Sequence, residues 1–296
     1  MKLSVMICTR NRAASLRETL DALFRLVPAL DDYEVVVVDN GSTDSTRLVV
    51  AEVIAALPTR HYGRLRYCHE PRPGLSNARN AALRTAQGDV LVFIDDDIWP
   101  AANWLDEICH EFTTDPDLCL LGGRVLLAQE RLQPVGIVIS NERQTLTTPD
   151  GAAMVIGANI AFRREVLGKI GGFDPRLGAG GAFAAAEDVD FIYRAMKAGY
   201  KLLYAPNVTV YHNHDRTTHE QACKLEYNYG QGAVAYFMKH ILKGDLFAVK
   251  VAYWSLHRGI TKAFGLATTS REVAERTRAY LRGFAKGLFP ALVRMW

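Results

Sequence analysis

Apolar positions follow two different rhythms along this chain. Residues 3–7, 34–38 and 90–94 are short, largely apolar runs rich in β-branched side chains, the pattern of strands buried on both faces. Between them the spacing becomes helical. Leu16, Leu20, Leu23 and Phe24 share one face, and Ser15 and Glu18 stand at capping-box distance. A second helix is predicted from Thr43 or Ser45 to Leu57, and a third from Ser76 to Ala86, closed by Gly88. Strand and helix alternating in this way predict a parallel sheet with covering helices.

Farther along, residues 119–127, 135–140 and 155–163 read as strands of a mixed sheet, with variable loops near 129–134 and 142–151. A helix over 164–170 leads into the glycine-dense stretch 171–181; a helix over 187–198 ends at Gly199, and a strand over 201–211 follows. Beyond His214 only helices are expected.

Apolar residues at 49% and charged residues at 23% exclude a disordered chain. Charge is unevenly spread. Residues 1–215 hold 22 Lys and Arg against 27 Asp and Glu, a net −5, whereas residues 216–296 hold 13 against 5, a net +8. The tail also interleaves its cations with apolar residues: Lys250, His257, Arg258 and Lys262 within 246–267, and Arg276, Arg278, Arg282, Lys286 and Arg294 among Leu281, Phe284, Leu288, Phe289 and Trp296. Such helices can lie on an anionic membrane surface, or pack their apolar face on the rest of the chain or on a second copy in a homodimer; both can hold at once. The five scattered cysteines form no CxxC pair and read as reduced thiols. The opening apolar stretch is too short for a signal peptide and no run spans a bilayer, so a cytoplasmic protein is expected, peripheral on the inner face of the membrane if the tail binds lipid.

In open α/β sheets ligands bind beyond the carboxyl ends of the strands. The residues there are Thr9, Arg10, Asn11 and Arg12, then Asp39 to Asp44, then Asp95, Asp96 and Asp97. No GxGxxG follows the first strand, which removes a dinucleotide enzyme. Three adjacent carboxylates after an apolar strand repel one another, and a cation relieves this; oxygen donors select Mg²⁺ or Mn²⁺. The competing reading is a solvated acidic turn. Glu187 and Asp188 open a helix beside the glycine loop, either as favourable N-terminal charge or as a general base to a hydroxyl under a closing loop. His212 and His214 share one strand face, as metal or phosphate ligands or as surface hydrogen-bonders. Arg79 could contact a nucleotide or be an ordinary helix-surface charge.

Together these motifs resemble the family 2 glycosyltransferases. The resemblance covers residues 3–214 and rests on Cys8-Thr9-Arg10-Asn11-Arg12, Val38 to Asp44, Gly74 to Asn80, Asp95-Asp96-Asp97, Gly171-Gly172-Phe173-Asp174, Glu187-Asp188 and His212. It implies the GT-A fold, a Rossmann-like α/β mixed sheet flanked by helices, with a C-terminal helical extension. Residues 1–97 would bind a nucleotide diphosphate-sugar, residues 98–215 the acceptor and the catalytic groups, and residues 216–296 would form the extension. Carried over by position, Thr9, Arg10, Arg12, Asp39, Arg79, Asp95 and Asp96 would line the donor site. Asp97, Asp95 and His212 would hold Mn²⁺ or Mg²⁺, Asp188 would be the base with Glu187 orienting, and Asp174, Gly180 and Gly181 would meet the acceptor. The implied reaction is inverting transfer, from a UDP-sugar by family weight, to a glycan or lipid-linked hydroxyl, with no nucleic-acid partner. The Gln-x-x-Arg-Trp signature of processive synthases is absent, which favours single addition. Two alternatives stand beside it: a phosphohydrolase with an aspartate nucleophile, and a non-catalytic binder of carbohydrate or nucleotide.

Overall fold

Five segments, residues 1–28, 32–61, 63–147, 154–264 and 270–295, are described by the computed structural model. Strands β1 (Leu3–Thr9), β2 (Tyr33–Asp39) and β4 (Val90–Asp95) form where the apolar runs predict them. They are joined by β3 (Leu65–His69), β5 (Ile98–Pro100), β6 (Leu118–Leu127), β7 (Gln144–Leu146), β8 (Asn159–Arg163) and β9 (Lys201–His212). All lie in one sheet of order β3-β2-β1-β4-β8-β6-β9-β5, with β7 also pairing β9. β1 runs parallel to β2 and β4, and β2 to β3, whereas β8 is antiparallel to β4 and β6. The carboxyl ends of β1, β2 and β4 therefore open on the same edge.

Helices α1 (Ala13–Phe24), α2 (Thr46–Ala56), α3 (Leu75–Thr85), α4 (Trp104–Thr114), α5 (Val166–Ile170) and α6 (Glu187–Lys197) accompany the sheet. One apolar cluster joins Leu16, Leu20, Val50, Trp104 and Phe112 to one side of the sheet; a second joins Ala78, Ala82, Val166, Phe191 and Ile192 to the other. Burial at roughly 25 cal/mol per Å² of apolar area makes these two faces the main source of stability.

Several expectations need correction. The capping box at Ser15 and Glu18 does not form, because α1 already begins at Ala13 and Ser15 lies inside it. The strand expected over 135–140 contributes only a Val125–Val138 bridge, since Pro134 and Gly136, at φ +63°, hold the segment off the ladder. A short strand, β7, occupies part of the loop expected at 142–151, and the rest of that loop, like the ends of the two tail stretches at Ala267 and Trp296, falls partly outside the described residues.

Past His214 come α7 (His219–Ile241), α8 (Leu246–Ala263) and α9 (Arg271–Arg294). A capping box does form here, with Gln221 N–H donating to Thr218 Oγ1 and the Gln221 side chain accepting from Thr218 N–H. Asp245 and Ser270 cap the next two helices. α7 and α9 cross at glycines: a Cβ on Gly283 would lie 1.9 Å from the Tyr227 carbonyl oxygen, and one on Gly230 2.0 Å from that of Tyr280. The helices also pack on the body. Tyr193 and Ala186 of the α6 region meet Tyr236, Phe237, Ala248 and Ala252, while Leu177 and Phe183 of the glycine-rich loop meet Ala235, Ala291 and Met295. Among the described residues no helix is long and apolar enough to cross a membrane.

Candidate functional site

Strand order brings the tips of β1, β2 and β4 side by side, with the end of β9 facing them. The site is built from these tips. Thr9 donates to Asp96 (2.6 Å), and Arg12, the residue before α1, meets Asp96 at 2.9 Å and Asp97 at 2.8 Å. Burial pushes the Asp96 carboxyl up to about 7, against the pull of Arg12 and the Thr9 hydroxyl. Burial would also raise Asp97, but His212 at 3.1 Å and Arg12 outweigh it and hold that carboxyl at about 2.

Asp95, Asp97 and His212 offer ligand atoms that all lie within 4.8 Å of one another. Two oxygens and one imidazole nitrogen form a donor set suited to a divalent ion of the Mg²⁺, Mn²⁺ or Zn²⁺ type, so the residues present fit the metal that the acidic triplet implies. The remaining ring nitrogen of His212, Nδ1, lies 3.1 Å from the Gly136 carbonyl oxygen, which orients the ring. His214 stands beside it, ring centroids 4.8 Å apart, but its Nδ1 accepts from Arg216 N–H and it falls outside the cluster. The two-residue alternation placed both histidines together; the backbone after β9 separates their roles.

Arg79 is no surface charge. Its guanidinium is buried against Phe93 and Phe173, 3.0 Å from Glu187 and 3.7 Å from Asp95, and so links the acidic triplet to the start of α6. Burial raises the Glu187 carboxyl to about 7 despite Arg79, and neighbouring Asp188 adds to the rise. Asp188 is half-buried and accepts from Gly157 N–H (2.7 Å) and Val189 N–H (2.8 Å), leaving lone pairs on each oxygen. Ala186, immediately before this pair, sits at φ +74°, a left-handed conformation that costs a non-glycine residue about 1 kcal/mol. Such strain persists only where surrounding contacts enforce it.

The glycine-rich loop is clamped rather than free to swing. Leu75 N–H donates to the Ala179 carbonyl (2.8 Å), Ser76 Oγ to that of Leu177 (2.7 Å), and Arg176 to that of Arg294 (3.0 Å). Gly178, at φ +94°, passes so close that a Cβ would lie 3.0 Å from a Glu187 carboxylate oxygen, and Gly180, at φ +78°, packs on Gly74. Gly181 lies in the same turn. Asp174 does not face open space: Arg176 and Lys239 engage it, and although burial would raise its carboxyl, they hold it well below the usual carboxylate range. Asp39 accepts from Tyr67 Oη (2.8 Å) and Ser42 N–H (2.8 Å) at the carboxyl end of β2, and Arg10 is exposed.

Sequence reasoning missed the contribution of α7. Lys239 bridges Asp174 (2.9 Å) and fully buried Asp190 (2.8 Å), and His240 Nε2 lies 2.9 Å from the other Asp190 oxygen. Burial would raise Asp190, but His240, Arg194 and Lys239 hold it at about 2. The signal was available: Lys239-His240 interrupts an otherwise apolar stretch at the end of a helix.

Residues 4–171 match the family model described as Glycosyl transferase family 2, and residues 90–293 that of Glycosyl transferase family group 2. The pre-mycofactocin glycosyltransferase of Mycobacterium tuberculosis is 28% identical over 80% of this chain, which spans about half (48%) of that relative's length. Among solved structures, a mannosyltransferase from Pyrobaculum calidifontis in complex with GDP-Man and Mn²⁺ superposes with a TM-score of 0.69 at 23% identity, covering 98% of this chain and 87% of that one. TarS of S. aureus in complex with UDP-GlcNAc gives 0.59 at 17% identity, covering 99% and 90%. At these identities the likeness establishes a shared fold.

Proposed function

The chain belongs to glycosyl transferase family 2, and from that premise we propose that it transfers a sugar, with inversion, from a nucleoside diphosphate-sugar to an acceptor hydroxyl. The observation that carries the reading is the convergence of Asp95, Asp97 and His212 within 4.8 Å, joined through Arg79 to Glu187 and, next to it, Asp188.

In this reading Thr9, Arg10, Arg12, Asp39 and Asp96 line the nucleoside side, within residues 1–97. Asp95, Asp97 and His212 would hold Mn²⁺ or Mg²⁺, which when bound supplies Lewis-acid stabilisation of the diphosphate leaving group. Arg12 balances the acidic cluster. Asp188 is the general base: its two backbone hydrogen bonds fix the carboxylate, and a free lone pair accepts the acceptor proton as the hydroxyl attacks. Glu187, held by Arg79 at 3.0 Å, orients the acceptor or the base from the neighbouring position. One carboxylate is enough for a single displacement, because no covalent sugar-enzyme bond is formed. The glycine loop, Asp174, Gly180 and Gly181 shape the acceptor side within residues 98–215, and residues 216–296 brace that side through Lys239. The acceptor would be a glycan or lipid-linked hydroxyl met at the inner face of a membrane.

Family membership sets aside the phosphohydrolase. The test is a thermal-shift panel of nucleoside diphosphates and their sugars with and without Mn²⁺, since a ligand that binds only the folded state raises its stability. UDP and GDP are compared first, because the two structural neighbours carry one of each. Metal-dependent stabilisation by one nucleotide, lost in Asp97→Ala, is expected; no response to any nucleotide refutes the reading.

A further inference from the structure

Helix α8 is built inside out. Its buried positions are Ala248, Ala252, Gly259 and Ala263, all small, and of its large apolar side chains Phe247 and Val251 pack on the body while the others face away. Leu246, Val249, Tyr253, Trp254, Ile260 and Phe264 are exposed, Tyr253 at 60% and Trp254 at 43%. At 100° per residue, Leu246, Val249, Tyr253, Ile260 and Phe264 fall on one stripe about 60° wide, and Trp254 lies about 80° beyond it with Lys250 and His257 between. A water-facing helix would reverse this arrangement. Small residues let α8 approach α7 and α9 closely, and the outward face remains without a partner among the described residues.

Charge decides between occupants. From Leu246 to Ala263 the helix carries Lys250, His257, Arg258 and Lys262 and not one carboxylate, within a stretch whose net charge is +8. A second copy seated in parallel on the same face would bring the Lys250 ammonium groups of both chains together, an unfavourable like-charge contact. An anionic lipid surface meets both needs, apolar depth for the aromatic residues and phosphate charge for the cations beside them. We propose that the exposed face of α8 is a docking surface for an anionic phospholipid bilayer, which deepens the proposed function by placing its acceptor at a membrane and rests on that reading for the acceptor alone.

The test is flotation of the full chain with vesicles of phosphatidylcholine alone or containing phosphatidylglycerol, together with the fluorescence of Trp254. Expected is binding to the phosphatidylglycerol vesicles, weakened by salt and accompanied by a blue shift that Trp254→Phe removes. Tyr253→Ser with Trp254→Ser should weaken binding by at least about tenfold, because each aromatic side chain transferred from water contributes more than that factor. Lys250→Gln should weaken it by about fivefold, the worth of one cation near an anionic surface. These side chains are exposed, so unchanged thermal stability and nucleotide response are expected and show that the variants fold. Failure of the parent chain to float with either vesicle type overturns the proposal. So does a concentration-dependent dimer abolished by the double serine variant, which assigns the face to a second copy. A nucleotide response without vesicle binding refutes the docking surface and leaves the transferase reading intact; the reverse outcome refutes the transferase reading alone.

Discussion

Replacing Arg79 by Met removes the charge between Glu187 and Asp95 while keeping an apolar stem against Phe93 and Phe173. In the parent protein the Glu187 carboxyl sits at about 7 rather than its ordinary 4.5. At 1.36 kcal/mol per unit, ionising Glu187 costs the folded state about 3 kcal/mol. The pKa is raised, so the stability linked to this group is fully present below 4.5 and is lost as pH rises through about 7. Arg79 limits that loss. Without it the carboxyl rises further and stays protonated above pH 7, so the variant goes on losing about 1.4 kcal/mol per pH unit where the parent has levelled off. At pH 5 Glu187 is protonated in both proteins, so the gap should be smaller there than at pH 8 by about 1 kcal/mol. Urea titrations followed by far-UV circular dichroism, in chelator at pH 5 and pH 8, measure it. A gap that is equal at both values, or wider at pH 5, refutes the assignment of Arg79 as the counter-charge of Glu187.

Three further outcomes are expected. Asp188→Asn should lower transfer by roughly 10² to 10⁴ while sparing the metal-dependent nucleotide response, and retained turnover in a coupled nucleotide-release assay sinks the base assignment. Gly283→Ala forces a methyl into the Tyr227 carbonyl and should cost about 1–3 kcal/mol or more, read as a fall in Tm; an unchanged Tm means that α7 and α9 do not cross so closely. Asp190 is held at about 2 against an ordinary 3.8, so about 2 kcal/mol of stability is present above pH 3.8 and lost as pH falls through 2. Asp190→Asn should flatten that acid slope in urea midpoints, and an unaltered slope would point to other carboxylates.

The three apolar runs were legible because buried parallel strands need nothing but apolar side chains, and the acidic triplet was legible because its position follows from the end of such a strand. β3 was not, since its sequence Leu-Arg-Tyr-Cys-His mixes polar and apolar residues at a half-buried sheet edge. Nor was α4, whose burial of Trp104, Ile108 and Phe112 follows an ordinary helical period that went unread between two stronger signals. Among site residues, Asp95, Asp97 and His212 lie together, a set that the family resemblance implied and no local spacing did. Arg79 read equally as a nucleotide contact or a helix-surface charge, because burial depends on what packs over it, here Phe173 from a loop far away in sequence. The Lys239 bridge was hidden for the same reason: ion pairs across long separations leave no local pattern.

The loop beside Glu187 is closed from the far end of the chain, by Ala291 and Met295 under Leu177 and Phe183 and by the Arg294 carbonyl under Arg176. During translation the sheet and the acidic cluster emerge early, but the last turn of α9 leaves the ribosome long after the loop it secures. Until then the glycine-rich loop has no clasp. A nascent chain would thus carry the converged tips of β1, β2 and β4 before the loop beside Glu187 is secured, and the two would come together only once α9 has been made.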